Sequence, residues 1–408
     1  MSRPTAVKPN HIQTLLRALV RTPGSTKPQL CQTTGLPPST VHNVMAALEA
    51  EGLVCDFGIA ASNGGRRAVR YQLNGQLGIL AAVSLRIDQL EVGVFDLCGQ
   101  CLYAVSREIS CSSVGPETYT SEIASAVLAA LSASGQETAR CFGVGVTVPG
   151  PVDFENGVVL QLSGAPMWQH FPLADRLRES LHLPVTVEKD VYAGVLYLEH
   201  SGQMRRNRCT VYLSICEGIG SAVMINGEVF RGVHSLAGEI GHLTVRRDGI
   251  PCSCGNTGCL ELYCSDIGIV KQYNAQSGDH RTHVDEILQL MMKGDPTATK
   301  VLSQAMRYLV DTTSTIIMSY DPDELIIYCR WLNQQRGLYF RMLDALYLKS
   351  VFTQKHAVDI RLLDEEPLNL NAAVALAQSE LLINRCDELF AGSGNAGGFA
   401  PSSPQLKG

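Results

Sequence analysis

The densest chemistry in the chain lies in one short stretch. It reads Gly238-Glu239-Ile240-Gly241-His242, followed by Cys252-Ser253-Cys254-Gly255-Asn256-Thr257-Gly258-Cys259-Leu260-Glu261. One imidazole and three thiolates make a four-ligand set that suits a closed, tetrahedral zinc site with no open position for a metal-bound water. A zinc held here is structural. Gly255 and Gly258 permit tight turns between Cys254 and Cys259, so that the thiolates converge. A histidine bound through one ring nitrogen keeps the other, and Glu239 and Glu261 add acceptors suited to hydroxyl groups. The pattern therefore reads either as a metal that steadies a ligand-binding histidine or as a plain zinc knuckle with two surface glutamates.

The 408 residues, 45% hydrophobic and 18% charged, bound what can carry this stretch: two or three domains with ample core. Fourteen cysteines would imply disulfides in a small secreted chain. In a chain of this size, with a polar start that does not read as a signal peptide and no long apolar span, they imply a reducing cytosol and no embedding in a membrane. The net charge of -6 conceals an asymmetry: residues 1–75 carry +5 and the remainder -11. Such a split is expected of a nucleic-acid module joined to a sensor or enzyme body.

Within the basic region, Ile12, Leu15, Leu16, Leu19 and Val20 recur at helical spacing up to Thr22-Pro23-Gly24. Thr26 caps a short helix that breaks at Gly35, and Ser39 and Thr40 open another through Val41, Val44, Met45 and Leu48. Leu53-Val54-Cys55 and Val69 to Leu73 then form a hairpin, which completes a winged helix-turn-helix pattern. The second helix of such a unit enters the DNA major groove by its N-terminal residues, here Ser39, Thr40, His42 and Asn43. Arg66 and Arg67, at the hairpin tip, are expected to reach phosphates or a narrow minor groove.

Beyond Gly78, strand-like segments at 79–85, 91–97, 142–148, 185–188, 210–216 and 221–225 alternate with helical ones near 120–134, 171–181, 191–200, 262–274, 283–291, 296–320 and 368–390. This alternation argues for an α/β fold with mixed sheets. From Ala391 the chain is rich in Gly, Ser, Ala and Pro without periodicity, and is expected to be disordered.

From about Asn10 to Phe390 the chain resembles the ROK family of repressors, open reading frames and sugar kinases, specifically its NagC/Mlc/XylR-type regulators. The resemblance rests on Glu239-x-x-His242 and Cys252-x-Cys254-Gly255-x-x-Gly258-Cys259-Leu260-Glu261, with Val148-Pro149-Gly150-Pro151-Val152 and the stretch from Trp168 to Leu173, which resembles the family's sugar-lining segment. It implies an actin/hexokinase-like two-subdomain α/β body behind an N-terminal winged helix-turn-helix domain. The expected limits are 1–78 for the DNA-binding domain, 79–193 plus 369–390 for the first subdomain, 194–368 for the second, with the zinc site and an oligomerisation surface, and 391–408 for the tail. It further implies that His242, Cys252, Cys254 and Cys259 bind Zn2+ and that Glu239, His242 and Glu261 face a sugar. Asp190 falls where the kinases carry the carboxylate that takes the attacking hydroxyl's proton. Capping of the helix that follows is its competing role.

The departures from the family separate sensor from enzyme. Ser84-Leu85-Arg86-Ile87-Asp88 stands where the kinases have Asp-x-Gly-Gly-Thr, and Cys216-Glu217-Gly218-Ile219-Gly220 where they have Gly-Thr-Gly-x-Gly. At about 4 Å and an effective dielectric near 20, one carboxylate repels each phosphate charge by roughly 4 kcal/mol. Cys329-Arg330-Trp331 replaces a third glycine-rich segment. On the sugar side, Gly164, Lys189 and Tyr192 replace family asparagines, and Lys189 is expected to be solvated.

The sequence thus anticipates a cytoplasmic, sugar- or sugar-phosphate-responsive repressor, homodimeric or homotetrameric, that binds a double-stranded operator and has no catalytic residues. The alternatives are a ROK sugar kinase that still phosphorylates a hexose or amino sugar, and a regulator that answers a transport protein.

Overall fold

The computed structural model describes residues 8–59, 68–162, 164–205, 208–349 and 358–386. Arg66, Arg67 and the tail from Ala391 lie outside the described residues, as does the end of the helix expected to reach 390. The chain divides into two units, Met1–Gln203 with Pro367–Gly408, and Met204–Glu366.

The first unit begins with α1 (Pro9–Arg21), whose Ile12, Leu15, Leu16 and Leu19 are buried at the spacing read from the sequence. After β1 (Ser25–Thr26), α2 (Lys27–Thr34) opens on a reciprocal cap. The Gln29 backbone N–H donates to the Thr26 hydroxyl, and the Thr26 N–H donates to Gln29 Oε1 at 2.8 Å. Helix α3 (Pro38–Ala50) buries Val41, Val44, Met45 and Leu48. β2 (Val54–Ile59) and β3 (Val69–Leu73) pair antiparallel, and β1 adds to the free edge of β3, which makes the wing.

A five-stranded sheet follows. β4 (Ile79–Leu85), β5 (Gln89–Asp96) and β6 (Cys101–Glu108) form an antiparallel meander, α4 (Pro116–Ala133) crosses over, and β7 (Cys141–Val148) joins β4 in parallel. A small sheet of β8 (Val152–Asp153), β9 (Val158–Leu162) and β10 (Ala165–Phe171), then α5 (Leu173–Leu181), leads to β11 (Val185–Lys189) and α6 (Asp190–His200). The order is β11-β7-β4-β5-β6.

The second unit repeats that order. β12 (Cys209–Ile215), β13 (Ile219–Ile225) and β14 (Glu228–Val229) are antiparallel neighbours, and β15 (Glu324–Cys329) and β16 (Asp359–Leu362) extend the sheet in parallel. Between β14 and β15 lie the cysteine-rich stretch and α7 (Glu261–Cys264), α8 (Asp266–Ser277), α9 (Val284–Met292) and α10 (Pro296–Tyr320). Helices α11 (Arg330–Gln334) and α12 (Arg336–Lys349) follow β15. The helix expected over 262–274 is broken at Ser265. Its backbone is extended, its hydroxyl accepts the Gly268 N–H at 3.0 Å, and the Asp266 N–H turns to the Cys216 carbonyl at 2.7 Å.

The chain ends in the first unit with α13 (Leu370–Ala377), which runs on as a π-helical turn, Gln378–Ile383. A Cβ on Gly145 would sit 2.4 Å from the Ala373 carbonyl, so β7 admits this helix only because that residue has none. One apolar cluster joins Leu15, Leu16, Leu19 and Met45 of the head to Leu80, Ala82 and Phe95 of the sheet and to Ala373, Ala377 and Leu382. Among the described residues no helix is long and apolar enough to cross a membrane.

Candidate metal centre and ligand-binding residues

The second unit brings four of the expected side chains to one point. One ligand atom each from His242, Cys252, Cys254 and Cys259 lies within 4.8 Å of every other. Cys252 Sγ is 3.8 Å from His242 Nδ1, and the sulfurs of Cys254 and Cys259 are 3.7 Å apart. Tetrahedral bonds of about 2.3 Å to sulfur require ligand atoms about 3.8 Å apart, which those two edges match.

Short backbone links build this geometry. The Cys252 N–H donates to the Asn256 carbonyl at 2.8 Å and the Gly255 N–H to the Cys252 carbonyl at 3.0 Å, while Thr244 bridges Cys259 in antiparallel fashion. At Gly258, φ is +72° and a Cβ would fall 1.7 Å from the Arg246 carbonyl, so no other residue fits. Burial and the neighbouring thiols push Cys259 up to about 12, whereas Cys254, despite some burial, is lowered by the backbone donor at Asn256 and by its thiol neighbours. Three thiols this close ionise together only beside a cation, which the donor set suits.

With Nδ1 turned to the cysteines, the other ring nitrogen of His242 lies 3.9 Å from Glu239 Oε2. Glu261 is partly engaged elsewhere: its Oε2 accepts the Ile219 N–H at 3.0 Å. Asp190 belongs to the first unit, at the start of α6, where Oδ1 accepts the Val191 N–H at 2.7 Å. The N-cap position itself is Lys189, so Asp190 occupies the first turn, where the helix dipole favours a carboxylate. In the head, Ser39, His42 and Asn43 are exposed on α3 and Thr40 is half-buried.

Two expectations fail. Lys189 is not solvated: it is 5% exposed, with Nζ 5.6 Å from the centre of the Tyr192 ring, one helical turn on. Trp168, expected beside a sugar, is fully buried in the core, edge-on to Tyr119 and Phe171, and its indole N–H donates to the Cys111 carbonyl at 3.1 Å. Its amphipathic ring finds the polar partner within the fold.

The model of the ROK family matches residues 81–377, nearly three quarters of the sequence, and that of the IclR helix-turn-helix domain matches residues 13–55. The chain belongs to the ROK family. It is 28% identical over 323 residues to the xylose repressor of Bacillus subtilis, covering 79% of this chain and 83% of that one. Identity to the DNA-binding transcriptional dual regulator NagC of Escherichia coli is 24%, over 73% and 75% of the two chains. Among solved structures, a ROK transcriptional regulator homologous to the E. coli MLC protein shares the fold with a TM-score of 0.71 at 23% identity, over 92% of this chain and 99% of that one. The ROK hexokinase of Thermus thermophilus matches with a TM-score of 0.61 at 27% identity, over 73% and 97%.

In this ROK protein the turn from Cys216 to Gly220 joins β12 to β13, and the Cys216 thiol donates to Glu366 Oε1 at 3.0 Å. Beside it stands Asp266, 6% exposed, with Oδ2 3.4 Å from Arg330 Nε and, among the described residues, no hydrogen-bond donor on either oxygen. Burial pushes its carboxyl up to about 6, Arg330 opposes the rise, and Asp285, Glu217 and Glu366 reinforce it. Sequence reasoning missed Asp266 and Glu366. The signal for Asp266 was Ser265, a helix-capping residue that reads as interior once 262–274 is taken as a single helix.

Proposed function

We infer that this protein is a DNA-binding transcriptional regulator, a repressor in its effector-free state, that answers a sugar or sugar phosphate and has lost phosphotransfer. The observation that carries the reading is the union of two parts in one ROK chain. A winged head exposes Ser39, His42 and Asn43 on α3, and a kinase-derived body keeps Asp190, Glu239, His242 and Glu261 while carrying Glu217, Asp266 and Glu366 around the turn that corresponds to a phosphate loop. A xylose repressor and an N-acetylglucosamine repressor among the relatives support the same reading.

His242, Cys252, Cys254 and Cys259 would hold Zn2+, which would supply a fixed four-ligand pin and no catalysis. The pin orients His242, so that its second nitrogen, with Glu239, is set for ligand hydroxyls. Effector binding acts by differential affinity: it favours a conformation that fits DNA less well. A homodimer or homotetramer working in the cytoplasm would place two α3 helices about one DNA turn, roughly 34 Å, apart on a near-palindromic operator.

The test is a band-shift titration against DNA upstream of the protein's own gene and neighbouring sugar genes, with a panel of pentoses, hexoses, amino sugars and their phosphates. Release of a specific complex by one ligand supports the reading. His42→Ala with Asn43→Ala is expected to weaken the specific complex by about 1–3 kcal/mol, and Arg66→Ala with Arg67→Ala to flatten the salt dependence by up to about two phosphate contacts.

The retained Asp190, and the 27% identity to a ROK hexokinase, favour a second reading as a kinase with an added DNA-binding head. ATP-dependent turnover above that of Asp190→Ala would establish it.

A further inference from the structure

Two thiols from different parts of the first unit converge on one backbone carbonyl. Cys55, on β2 of the wing, places Sγ 3.7 Å from the Leu73 carbonyl oxygen, and Cys98, in the β5–β6 turn, places Sγ 3.1 Å from the same atom. The sulfurs are therefore no further apart than these two distances combined. Leu73 ends β3 and leads to β4, so the pair straddles the junction between the winged head and the sheet.

Both are free thiols, Cys55 half-buried and Cys98 exposed, which lets a small reagent reach them. The backbone beside Cys98 is bare: a Cβ on Gly75 would lie 2.5 Å from Asp96 Oδ2 and 3.4 Å from Cys98 Sγ, so residue 75 puts no side chain against that sulfur. Cys101, also exposed, opens β6 three residues after Cys98 and completes a Cys-x-x-Cys spacing. A disulfide needs sulfurs about 2.05 Å apart, and rotation about the Cα–Cβ bonds of Cys55 and Cys98 moves two sulfurs that already share one acceptor.

We propose that Cys55 and Cys98 form a reversible disulfide clasp that ties the wing to the sheet of the first unit under oxidation by a small-molecule disulfide. The Cys55 thiolate attacks one sulfur of oxidised glutathione and releases one glutathione thiolate. The Cys98 thiolate then attacks the Cys55 sulfur of the mixed disulfide and releases the second. Two protein thiols lose two electrons and two protons, and one glutathione disulfide becomes two glutathiones. Partial desolvation of its sulfur and the charge of Asp96 push Cys98 up to about 11, so its attack on the mixed disulfide quickens as pH rises.

The experiment uses the full-length, metal-loaded protein treated with oxidised glutathione at pH 7 and pH 9. Peptide mapping under non-reducing conditions is expected to show a Cys55–Cys98 cross-link that forms faster at pH 9 and is removed by dithiothreitol. The oxidised protein is expected to melt about 3–5 °C above the reduced form, because the bond closes a loop of some forty residues. Cys101→Ser retains the cross-link and the shift, whereas Cys55→Ser and Cys98→Ser lose both. A Cys98–Cys101 bond in place of the cross-link, stable glutathione adducts on unlinked Cys55 and Cys98, or oxidation confined to Cys252, Cys254 and Cys259 would each overturn the proposal.

Discussion

The two units build the same five-strand order and differ in the connection between their third and fourth strands, which in the second adds a cysteine-rich stretch to the apolar helices α7–α10. In the first, β6 passes to β7 through α4, which buries Tyr119, Ile123, Ala126, Val127, Ala130 and Leu131 against the sheet. In the second, the passage from β14 to β15 includes residues 238–259, where the buried apolar side chains are Ile240, Cys252 and Cys259. Apolar area orders the first connection, and a stretch with so little of it needs another source of order. Four candidate metal donors converge there, and the proposed metal would supply one. The difference shows how a common sheet accepts new chemistry: the strands stay and the crossover changes.

The contrast breaks most sharply at the thiols. Cys254→Ser or Cys259→Ser is expected to reduce metal from about one ion per chain to near zero, because structural sites of this type contribute on the order of 10 kcal/mol. Hydrogen exchange and proteolysis should open residues 238–259 and leave α4 protected. Retention of metal in either variant, by elemental analysis, would show that the donor set is misassigned. The converse variant, Ile123→Ala, removes a fully buried side chain from α4 and is expected to cost about 2–5 kcal/mol by chemical denaturation with metal content unchanged.

A smaller effect tests charge within the second unit. Asp266 titrates near 6 in the folded protein against an ordinary 3.8, so the fold holds a proton that the unfolded chain releases. The corresponding stability is present below about pH 4 and is lost as pH rises to 6, at most about 3 kcal/mol. Asp266→Asn is expected to stabilise the unit by about 1–3 kcal/mol at pH 8 and to flatten the melting profile between pH 4 and 6. An unchanged profile would show that the carboxyl finds a partner in solution.

Legibility in the sequence followed the range of the interactions. Local signals were sufficient in the head: Thr26 with Gln29, Gly35 and the spacing of Val41, Val44, Met45 and Leu48 placed each helix within a few residues. The metal donors were equally plain, because His242 to Cys259 is short and its chemistry is dense. β6 went unread because its Leu102-Tyr103-Ala104-Val105 lies at a sheet edge with alternate exposure, and composition around Arg107 and Glu108 looks like loop. Helix α12 was hidden because exposed Phe340, Tyr347 and Leu348 blur the stripe of buried Tyr339, Met342 and Leu346. The position of Trp168 could not be read at all. Burial of an indole against Tyr119 and the Cys111 carbonyl is settled by residues about fifty positions away. Lys189 was misjudged for the same kind of reason, since its surroundings come from tertiary packing and charge alone favours solvent.

The apolar cluster that joins the head to the sheet and to α13 bears on how this protein comes apart. Leu15, Leu16 and Leu19 share an interior with Phe95 and Leu382, and Arg17 Nη2 donates to Asn384 Oδ1 at 3.0 Å. A head severed after residue 78 would carry away one wall of that interior and leave the other wet. The winged head is thus packed as a lobe of the first unit and is expected to unfold together with it, so loosening α13 is expected to loosen the seat of the DNA-reading helix as well.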